Sequence, residues 1–592
     1  MKPHINGLES VKNLSTSHSP GKIASLLLML FSGVGFGIAT AQQGTFWDDT
    51  NLVPFETGGS IGLSASGYSA RGIENRRAPG VLQTHANFNF SAFGLRSGLN
   101  LNYSTDETGI RQNMNTLRYN ASWKWLTMQV GDVNPQLSDY GLNGTTIRGG
   151  YIRAQPGNFL VELTGGRSRR LVRPSFESGF RKPSFEQWAF GGKVGYGRKT
   201  GSYIHLSSFY AQDNVASLDG DVIEIKPQEN LTITPDFRVD LFEGRFSLES
   251  QVTVSAFTRD LNSSKFSSSD LDIPEFFTAI YQPRVSTRLN YAGQAMATFQ
   301  SDPFDMRVGY ERVQPGFASL GRGRFRNDQE TLTLSPTVRF FRNRLSIQSD
   351  LLFGRDNLLG TRLQTQSNTN VATNVQMIVS ESFNLTTSYN LLLNDVTTEP
   401  IEGQESPNAG QSQISHNLMF QPAFIIPGEN YTHNISLSGG YLSVENKFDG
   451  DPQIQDMSYL SESYTGVLSY AITFPTGFTI NSSGNYLTNQ SNAGDIQNVG
   501  FNLGSSYALL NRKLTISLNV GLNRNKFERD LQTGSAMTSR LQQLTGSVNS
   551  SYRLTEKDSF NLTIRSRNSR VMGGAGNEFT ELEGSFRYQH TF

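Results

Sequence analysis

Apolar and polar residues alternate along most of this 592-residue chain, from about residue 57 to the C-terminus. In residues 81–94, one set of alternate positions holds Leu82, Ala86, Phe88, Phe90 and Ala92. The other set holds Gln83, His85, Asn87, Asn89 and Ser91. Because successive side chains of a β-strand point to opposite faces, this pattern predicts strands with one apolar and one polar face. A sheet of so many strands must protect its edges, and closure into a barrel removes them.

The alternating segments are also long. Residues 186–197, 245–257 and 560–567 repeat the pattern. Such segments exceed the roughly 5–6 residues that are usual for strands of soluble proteins. They match the roughly 9–11 residues that a tilted strand needs to cross a bilayer.

Short and long connections alternate between these segments. Tight turns such as Glu243-Gly244 and Arg342-Asn343 are followed by longer polar stretches such as 213–229, 396–411 and 447–456. This alternation is typical of outer-membrane barrels, which have short periplasmic turns and long extracellular loops. The sequence therefore predicts an all-β fold: a single transmembrane antiparallel up-and-down β-barrel of about 26 strands, with both termini periplasmic.

Composition narrows the function. The 51 basic and 51 acidic residues balance, so we expect no nucleic-acid partner. The absence of cysteine excludes disulfides, thiolate metal sites, cysteine nucleophiles and a lipoprotein anchor. The seven histidines form no metalloprotease motif, and no Ser/His/Asp grouping stands out. We therefore expect no catalytic residues, no metal, no cofactor and no enzymatic activity.

The N-terminus carries an export signal. An apolar run over residues 23–38 is followed by Ala39-Thr40-Ala41, a small-residue cleavage pattern. A single membrane anchor is the alternative, but the run is short and rich in glycine. The predicted organisation is a signal peptide over 1–41, a short periplasmic segment over 42–56 and an outer-membrane β-barrel over 57–592.

The last residues, ELEGSFRYQHTF, alternate in the same way and end on an aromatic residue. This segment resembles the C-terminal insertion signal of bacterial outer-membrane β-barrels. The resemblance implies that Phe586, Tyr588 and Phe592 form an assembly signal read by the barrel-assembly machinery. His590 departs from that signal, because its position usually holds a tyrosine or another apolar residue.

As a whole, the chain resembles large outer-membrane barrels of Gram-negative bacteria, of the Bacteroidota type. We expect neither the large plug of TonB-dependent transporters, nor the periplasmic domain of the lipopolysaccharide-assembly barrel, nor the extra domains of fimbrial ushers. One stretch, GDVNPQLSDYGLNGTTIRGG at 131–150, is similar to the Gly-Asp…Arg-Gly pattern of ushers. The alternative interpretation is a loop of turn residues followed by a lumen-facing Arg148.

The resemblance implies an outer-membrane channel for passive or selective passage of solutes, narrowed by inward-folded extracellular loops. Loop 260–284, with an apolar patch, is the candidate for packing in the lumen or docking a partner. One alternative is the barrel component of an export or assembly complex, closed by a periplasmic or lipoprotein plug partner. Another is a surface-binding barrel in which the loops make the binding contacts.

Charged residues at the polar positions of strands are the candidate lumen lining, or alternatively pair across strands and brace the wall. They are Arg96, Arg238, Asp240, Glu249, Arg307, Glu311, Arg339, Asp350, Arg565, Arg567 and Arg587. A basic loop supplies a candidate anion or lipopolysaccharide contact at Arg167, Arg169, Arg170 and Arg173, or is simply solvated. Outer-membrane lipid and lipopolysaccharide are the expected surroundings.

Overall fold

The computed structural model describes residues 55–105, 115–173, 183–218, 225–266, 281–323, 326–398, 410–449, 458–492, 494–530 and 536–592. The predicted signal peptide and nearly all of the predicted 42–56 segment lie outside the described residues. The described chain forms 26 β-strands and one short 3-10 helix, Val215–Ser217. Within the described ranges, no helix is long and apolar enough to cross a membrane.

The first thirteen strands are β1 (Glu56–Arg71), β2 (Gly80–Ala92), β3 (Leu95–Ser104), β4 (Thr116–Trp123), β5 (Leu126–Val133), β6 (Ile147–Ala154), β7 (Phe159–Arg169), β8 (Gln187–Gly197), β9 (Tyr203–Asp213), β10 (Glu229–Leu241), β11 (Phe246–Thr258), β12 (Thr287–Gln300) and β13 (Phe304–Val313).

The remaining strands are β14 (Gln329–Phe340), β15 (Leu345–Asp356), β16 (Gln364–Ser380), β17 (Phe383–Thr398), β18 (Gln411–Pro427), β19 (Thr432–Phe448), β20 (Tyr459–Thr473), β21 (Phe478–Ser491), β22 (Asp495–Leu509), β23 (Leu514–Asp530), β24 (Ala536–Arg553), β25 (Asp558–Gly573) and β26 (Phe579–Thr591).

Each strand pairs antiparallel with its neighbours in sequence, and β26 pairs with β1 from Ser60↔Thr591 to Arg71↔Thr580. The main chain of Phe592 exchanges hydrogen bonds of 3.1 and 3.2 Å with Gly59. The sheet is therefore closed, which confirms the predicted antiparallel barrel of about 26 strands. With the usual strand spacing and tilt, such a barrel is roughly 50 Å across.

The two ends of the barrel differ. At one end the connections are two to five residues long, as at 93–94 and 198–202. At the other end they range from three residues at 492–494 to 28 residues at 259–286. The first strand begins and the last strand ends at the end with the short connections.

The two faces of the wall differ as the alternation predicts. In β10, Ile233, Phe237 and Val239 point outward and remain 38–39% exposed. The intervening Thr234 and Asp236 point inward and are 1% and 4% exposed. An apolar outer belt around a whole barrel is far larger than the apolar patches of soluble monomers, so this surface requires an apolar surrounding.

The buried apolar residues are confined to one side of the barrel. With the exception of Ala86, every buried apolar side chain among the described residues lies between Val133 and Phe317. Most of these side chains belong to three clusters. Something therefore covers the wall on the side of β5 to β13.

Candidate functional site

The connection between β5 and β6, residues 134–146, turns into the barrel and lies along its inner wall. Leu137 and Leu142 are no more than 1% exposed. They pack against the inward-facing Ala189, Phe209 and Ala211 of β8 and β9. Burial of two leucines contributes several kcal/mol, at roughly 1.5–3 kcal/mol for each side chain.

The connection between β13 and β14 joins this segment. Phe317 packs edge-on against Tyr140, with 6.3 Å between ring centroids. The main-chain N–H of Asn143 donates to the carbonyl of Gly321 at 2.9 Å, and Ser319 Oγ donates to the carbonyl of Gly141 at 2.6 Å. We call residues 134–146 and 314–323 together the inner layer.

Glycines allow the inner layer to approach the wall closely. A Cβ atom at Gly191 of β8 would lie 2.6 Å from Leu137 Cδ1. A Cβ atom at Gly321 of the inner layer would lie 2.6 Å from Cε1 of Phe209 on β9. Both distances are too short for real contacts, so a side chain at either position would push the layer off the wall.

A buried cation of the wall binds the main chain of the inner layer. Lys193 of β8, 3% exposed, donates to the carbonyl of Leu137 at 3.0 Å. The same ammonium group lies 2.7 Å from Asp236 of β10. His205 Nδ1 is 3.2 Å from the other oxygen of Asp236. Because a buried charge is costly without partners, the main chain of the layer is part of what makes this lysine tolerable.

The far edge of the layer reaches β11, β12 and β13. Tyr140 Oη donates to Glu311 Oε1 at 2.7 Å. Burial and the nearby Glu311 carboxylate raise the pKa of Tyr140 well above its usual value, so the phenol stays protonated and donates. Asp139 accepts from Gln294 Nε2 at 2.7 Å and donates its main-chain N–H to Gln251 Oε1 at 2.8 Å. The layer therefore contacts the wall from β8 to β13.

The rest of the interior is lined differently. Among the described residues, none of the three buried apolar clusters involves β14 to β26. Neutral amides bond across strands there: Asn485 donates to Asn498 at 2.7 Å, and Asn390 donates to Asn370 at 2.8 Å. This part of the wall is polar and accessible from the interior, and it carries inward-facing charged side chains on β14, β15, β25 and β26.

The structure places all the predicted lumen-lining residues on the inward-facing register of their strands. These are Arg96, Arg238, Asp240, Glu249, Arg307, Glu311, Arg339, Asp350, Arg565, Arg567 and Arg587. Several are paired along the wall, as when Arg238 Nε lies 2.9 Å from Asp240 Oδ1. Their contact with a passing solute stays a prediction.

The basic loop is partly neutralised. Arg167 lies 3.4 Å from Glu186, and Arg169 lies 3.9 Å from Asp213. Arg170 and Arg173 are described, whereas residues 174–182 lie outside the described residues. A role of these arginines toward anions or lipopolysaccharide stays a prediction.

The interpretation of Arg148 as lumen-facing is wrong. Its guanidinium makes two contacts with Asp132, at 2.8 and 2.9 Å. In register, Arg148 opposes Arg167, and Arg167 opposes Trp188 on the outer face. The neighbouring Ile147 faces inward and packs in the apolar cluster under the inner layer. Because successive strand residues alternate, Arg148 faces outward.

Loop 260–284 is described only in part, and most of its apolar patch lies outside the described residues, so its packing in the lumen or its docking of a partner stays a prediction. Its described residue Tyr281 is fully buried against Tyr210, Leu231 and Ala256, which all occupy outward-facing positions. Tyr281 Oη lies 2.6 Å from Thr258 Oγ1, and burial raises the pKa of Tyr281 to about 12. Residues 267–280 lie outside the described residues. The described part of this loop thus covers the outer face, and the segment at 134–146 occupies the interior.

The sequence contained a signal for the inner layer that its turn residues obscured. Leu137, Tyr140 and Leu142 are large apolar residues in a connection otherwise made of Asn, Pro, Gln, Ser, Asp, Gly and Thr. A solvated loop does not need them. Their spacing fits neither a strand nor a helix, so periodicity did not identify them.

The aromatic residues of the C-terminal strand lie at the closure. Phe586 and Tyr588 occupy outward positions of β26 beside Ala65 and Leu63 of β1. The ring of Phe592 lies 5.3 Å from that of Phe88 on β2. Their role as an assembly signal stays a prediction.

The fold defines this chain as a closed 26-strand antiparallel β-barrel protein. No group of three or more His, Asp or Glu in the described part of the chain is arranged to hold a metal ion. No protein-family model matches the chain, and no curated protein matches it.

Solved structures with some likeness include outer-membrane proteins. OccAB3 of Acinetobacter baumannii is 10% identical with a TM-score of 0.28, over 66% of this chain and 98% of that one. OpdK of Pseudomonas aeruginosa, solved with vanillate, is 11% identical with a TM-score of 0.26, over 62% and 94%. The translocation pore of the P pilus usher PapC is 10% identical with a TM-score of 0.24, over 90% and 99%. Likenesses this low carry no argument about function.

Proposed function

We propose that this protein is an outer-membrane channel in which solutes pass along the amide-lined side of the barrel, while the inner layer narrows the other side. The observation that carries the proposal is the packing of residues 134–146 against the inner wall from β8 to β13. A layer tied at both edges reduces the cross-section without filling a barrel roughly 50 Å across.

The proposed location follows from the outer surface. The outward positions form an apolar belt, exemplified by Ile233, Phe237 and Val239. Closed barrels satisfy every main-chain hydrogen bond in lipid, which open sheets cannot do. We propose that outer-membrane lipid and lipopolysaccharide surround the barrel, that the termini are periplasmic, and that the assembly machinery reads Phe586, Tyr588 and Phe592. The proposal includes neither catalysis nor a cofactor.

The test is the conductance of purified, folded protein in a planar bilayer. The variant Leu137→Ser/Tyr140→Ser/Leu142→Ser removes the apolar anchors of the layer and keeps the chain length. We expect wild-type protein to form steady channels and the triple variant to conduct measurably more with noisier current, because the segment is no longer held against the inner wall.

The matched control removes residues 268–279 from the other long connection, whose described ends lie on the outer face. Its conductance should equal that of wild type. Heat-modifiable gel mobility must show that all three proteins are folded. Unchanged conductance in the triple variant, or enlargement only in the loop deletion, would contradict the proposed role of the inner layer.

The width of the barrel favours a second candidate. An inner layer confined to one side leaves most of the interior open, so a separate plug protein could close it in an export or assembly complex. If a plug protein closes the barrel, the bilayer should carry no current when that partner is bound. The partner should also co-purify with the barrel in a fixed ratio. A surface-binding barrel instead predicts that deletion of the long loops abolishes binding and leaves permeability unchanged.

A further inference from the structure

A second concave region lies on the interior wall across from the inner layer. It is a cavity of about 420 Å³ between the β1–β2 connection and strands β22 to β26. Pockets that hold small ligands usually begin at roughly 300 Å³. The charged residues that line it are Arg76, Arg77, Arg565, Arg567, Glu581 and Glu583.

Positive charge is in excess in this cavity. Glu581 accepts a hydrogen bond from Tyr68 Oη at 2.6 Å and lies 3.5 Å from Arg76 and 3.8 Å from Arg567. Glu583 pairs with Arg77 at 2.8 Å. Both carboxylates are therefore occupied by other groups.

Arg565 is the remaining cation. It faces Glu583 across the β25–β26 register, yet no carboxylate of the described residues forms an ion pair with its guanidinium. Four arginines against two glutamates leave two positive charges in excess. A guanidinium presents paired donors that match a carboxylate or phosphate group.

The other side of the cavity is neutral and rich in hydrogen-bonding groups. It is lined by Asn502, Asn519, Thr545 and Ser547. Gly521 keeps the space between them open, because a Cβ there would lie 2.3 Å from Asn502 Oδ1 and 2.7 Å from Thr545 Oγ1. Amides and hydroxyls offer both donors and acceptors, which suits the hydroxyl groups of a sugar or polyol.

We infer that this cavity is a subsite for a small anionic polyol, a hydroxyl-rich solute whose single acid group binds Arg565 while its hydroxyls contact the amides of β22 and β23. The inference rests on the proposed channel function, because a solute reaches the cavity through the barrel interior. The arginines are partly hydrated: the Arg567 side chain is 47% exposed. Binding is accordingly weak, as passage through a channel requires.

The experiment measures block of single-channel current and isothermal titration of the folded protein with three probes: D-glucuronate, D-glucose and acetate. We expect glucuronate to block the current and to bind the folded protein. The affinities of glucose and acetate should be lower by at least about tenfold. Arg565→Gln should lower the affinity for glucuronate by about tenfold. Arg565→Lys should lower it by less, because lysine keeps the charge but lacks the paired donors. The control Arg288→Gln changes an arginine of β12 outside the cavity and should leave glucuronate binding unchanged.

The possible outcomes distinguish failure of the proposed subsite from failure of the proposed channel function. Channels that conduct but do not bind glucuronate overturn the subsite alone. A silent bilayer together with calorimetric binding that Arg565→Gln removes overturns the channel and supports the subsite. Equal binding of acetate and glucuronate shows that the site recognises only charge, and it overturns the polyol part. Equal binding by wild type and Arg565→Gln overturns the inference.

Discussion

The two sides of this barrel share one backbone architecture and differ in what covers their inner faces. On the side of β8 to β13, the inner layer lies over the wall, and inward-facing residues such as Lys193 and Asp236 are almost completely buried. On the side of β20 to β25, inward-facing amides such as Asn485 and Asn498 bond to one another and remain partly exposed. β23 lies thirteen strands from β10 around the closed sheet, so the two sides face each other.

The difference shows that one side of a barrel wall can be the floor of a packed core while the other side keeps an uncovered, polar inner face. Where the inner layer lies, the side chains of the wall must match it closely. Small residues pack under its two leucines, and the Lys193–Asp236 pair lies under the carbonyl of Leu137. Where nothing described covers the wall, side chains need only to be hydrated and to satisfy one another. Substitutions on the two sides should therefore differ in cost.

The largest effect is expected at the buried lysine. Lys193→Met leaves Asp236 without its cation and the carbonyl of Leu137 without its donor. Breaking a buried ion pair by removing one partner costs about 3–5 kcal/mol. The free energy of unfolding in urea should fall by this amount, and channel current should become larger and noisier as the layer detaches.

Lys513→Met is the control for this prediction, since Lys513 lies in a short turn between β22 and β23. It should leave both the stability and the current unchanged. Equal stability of Lys193→Met and wild type would show that the layer is not fixed to the wall at this point.

An intermediate effect is expected at Tyr140. Tyr140→Phe keeps the ring against Phe317 but removes the donor to Glu311. A carboxylate left without its buried donor costs about 1–3 kcal/mol. Urea unfolding should detect this loss, whereas Tyr464→Phe on the exposed outer face should not change stability. A loss no larger than that of Tyr464→Phe would mean that the edge of the layer at β13 is not held by this bond.

The smallest effect is expected on the amide-lined side. Asn498→Ser removes the middle member of a chain of partly exposed amides, because Asn498 accepts from Asn485 and donates to Asn525. Each of these bonds contributes about 0.5–1.5 kcal/mol at most, and water can replace both. Stability should hardly change, and single-channel conductance should stay within the scatter of wild type. A loss as large as that of Lys193→Met would erase the distinction between the two sides.

The wall was predictable from sequence because its rule is local. Alternation decides which side chains of a segment such as 81–94 face outward, and closure follows from the need to pair every edge. The positions of Arg565 and Arg567 on the inward face follow from the same rule.

The inner layer was not predictable in this way because its burial depends on distant partners. Leu137 is held by Gly191 and Lys193, more than fifty residues further along the chain. The composition of 134–146 is that of an ordinary turn-rich loop, so local pattern places it outside. Loop 260–284 has a stronger apolar patch, yet its described Tyr281 finds an apolar surface on the outer face.

The most direct test is a disulfide between the layer and the wall. Ser138 Oγ and Thr234 Oγ1 lie 3.3 Å apart, and the chain has no cysteine, so Ser138→Cys/Thr234→Cys gives an unambiguous pair. The expected result is complete disulfide formation in the folded protein, with the same conductance before and after oxidation. Failure to form the disulfide, or a fall in conductance when it forms, would show that residues 134–146 do not normally lie on the inner wall.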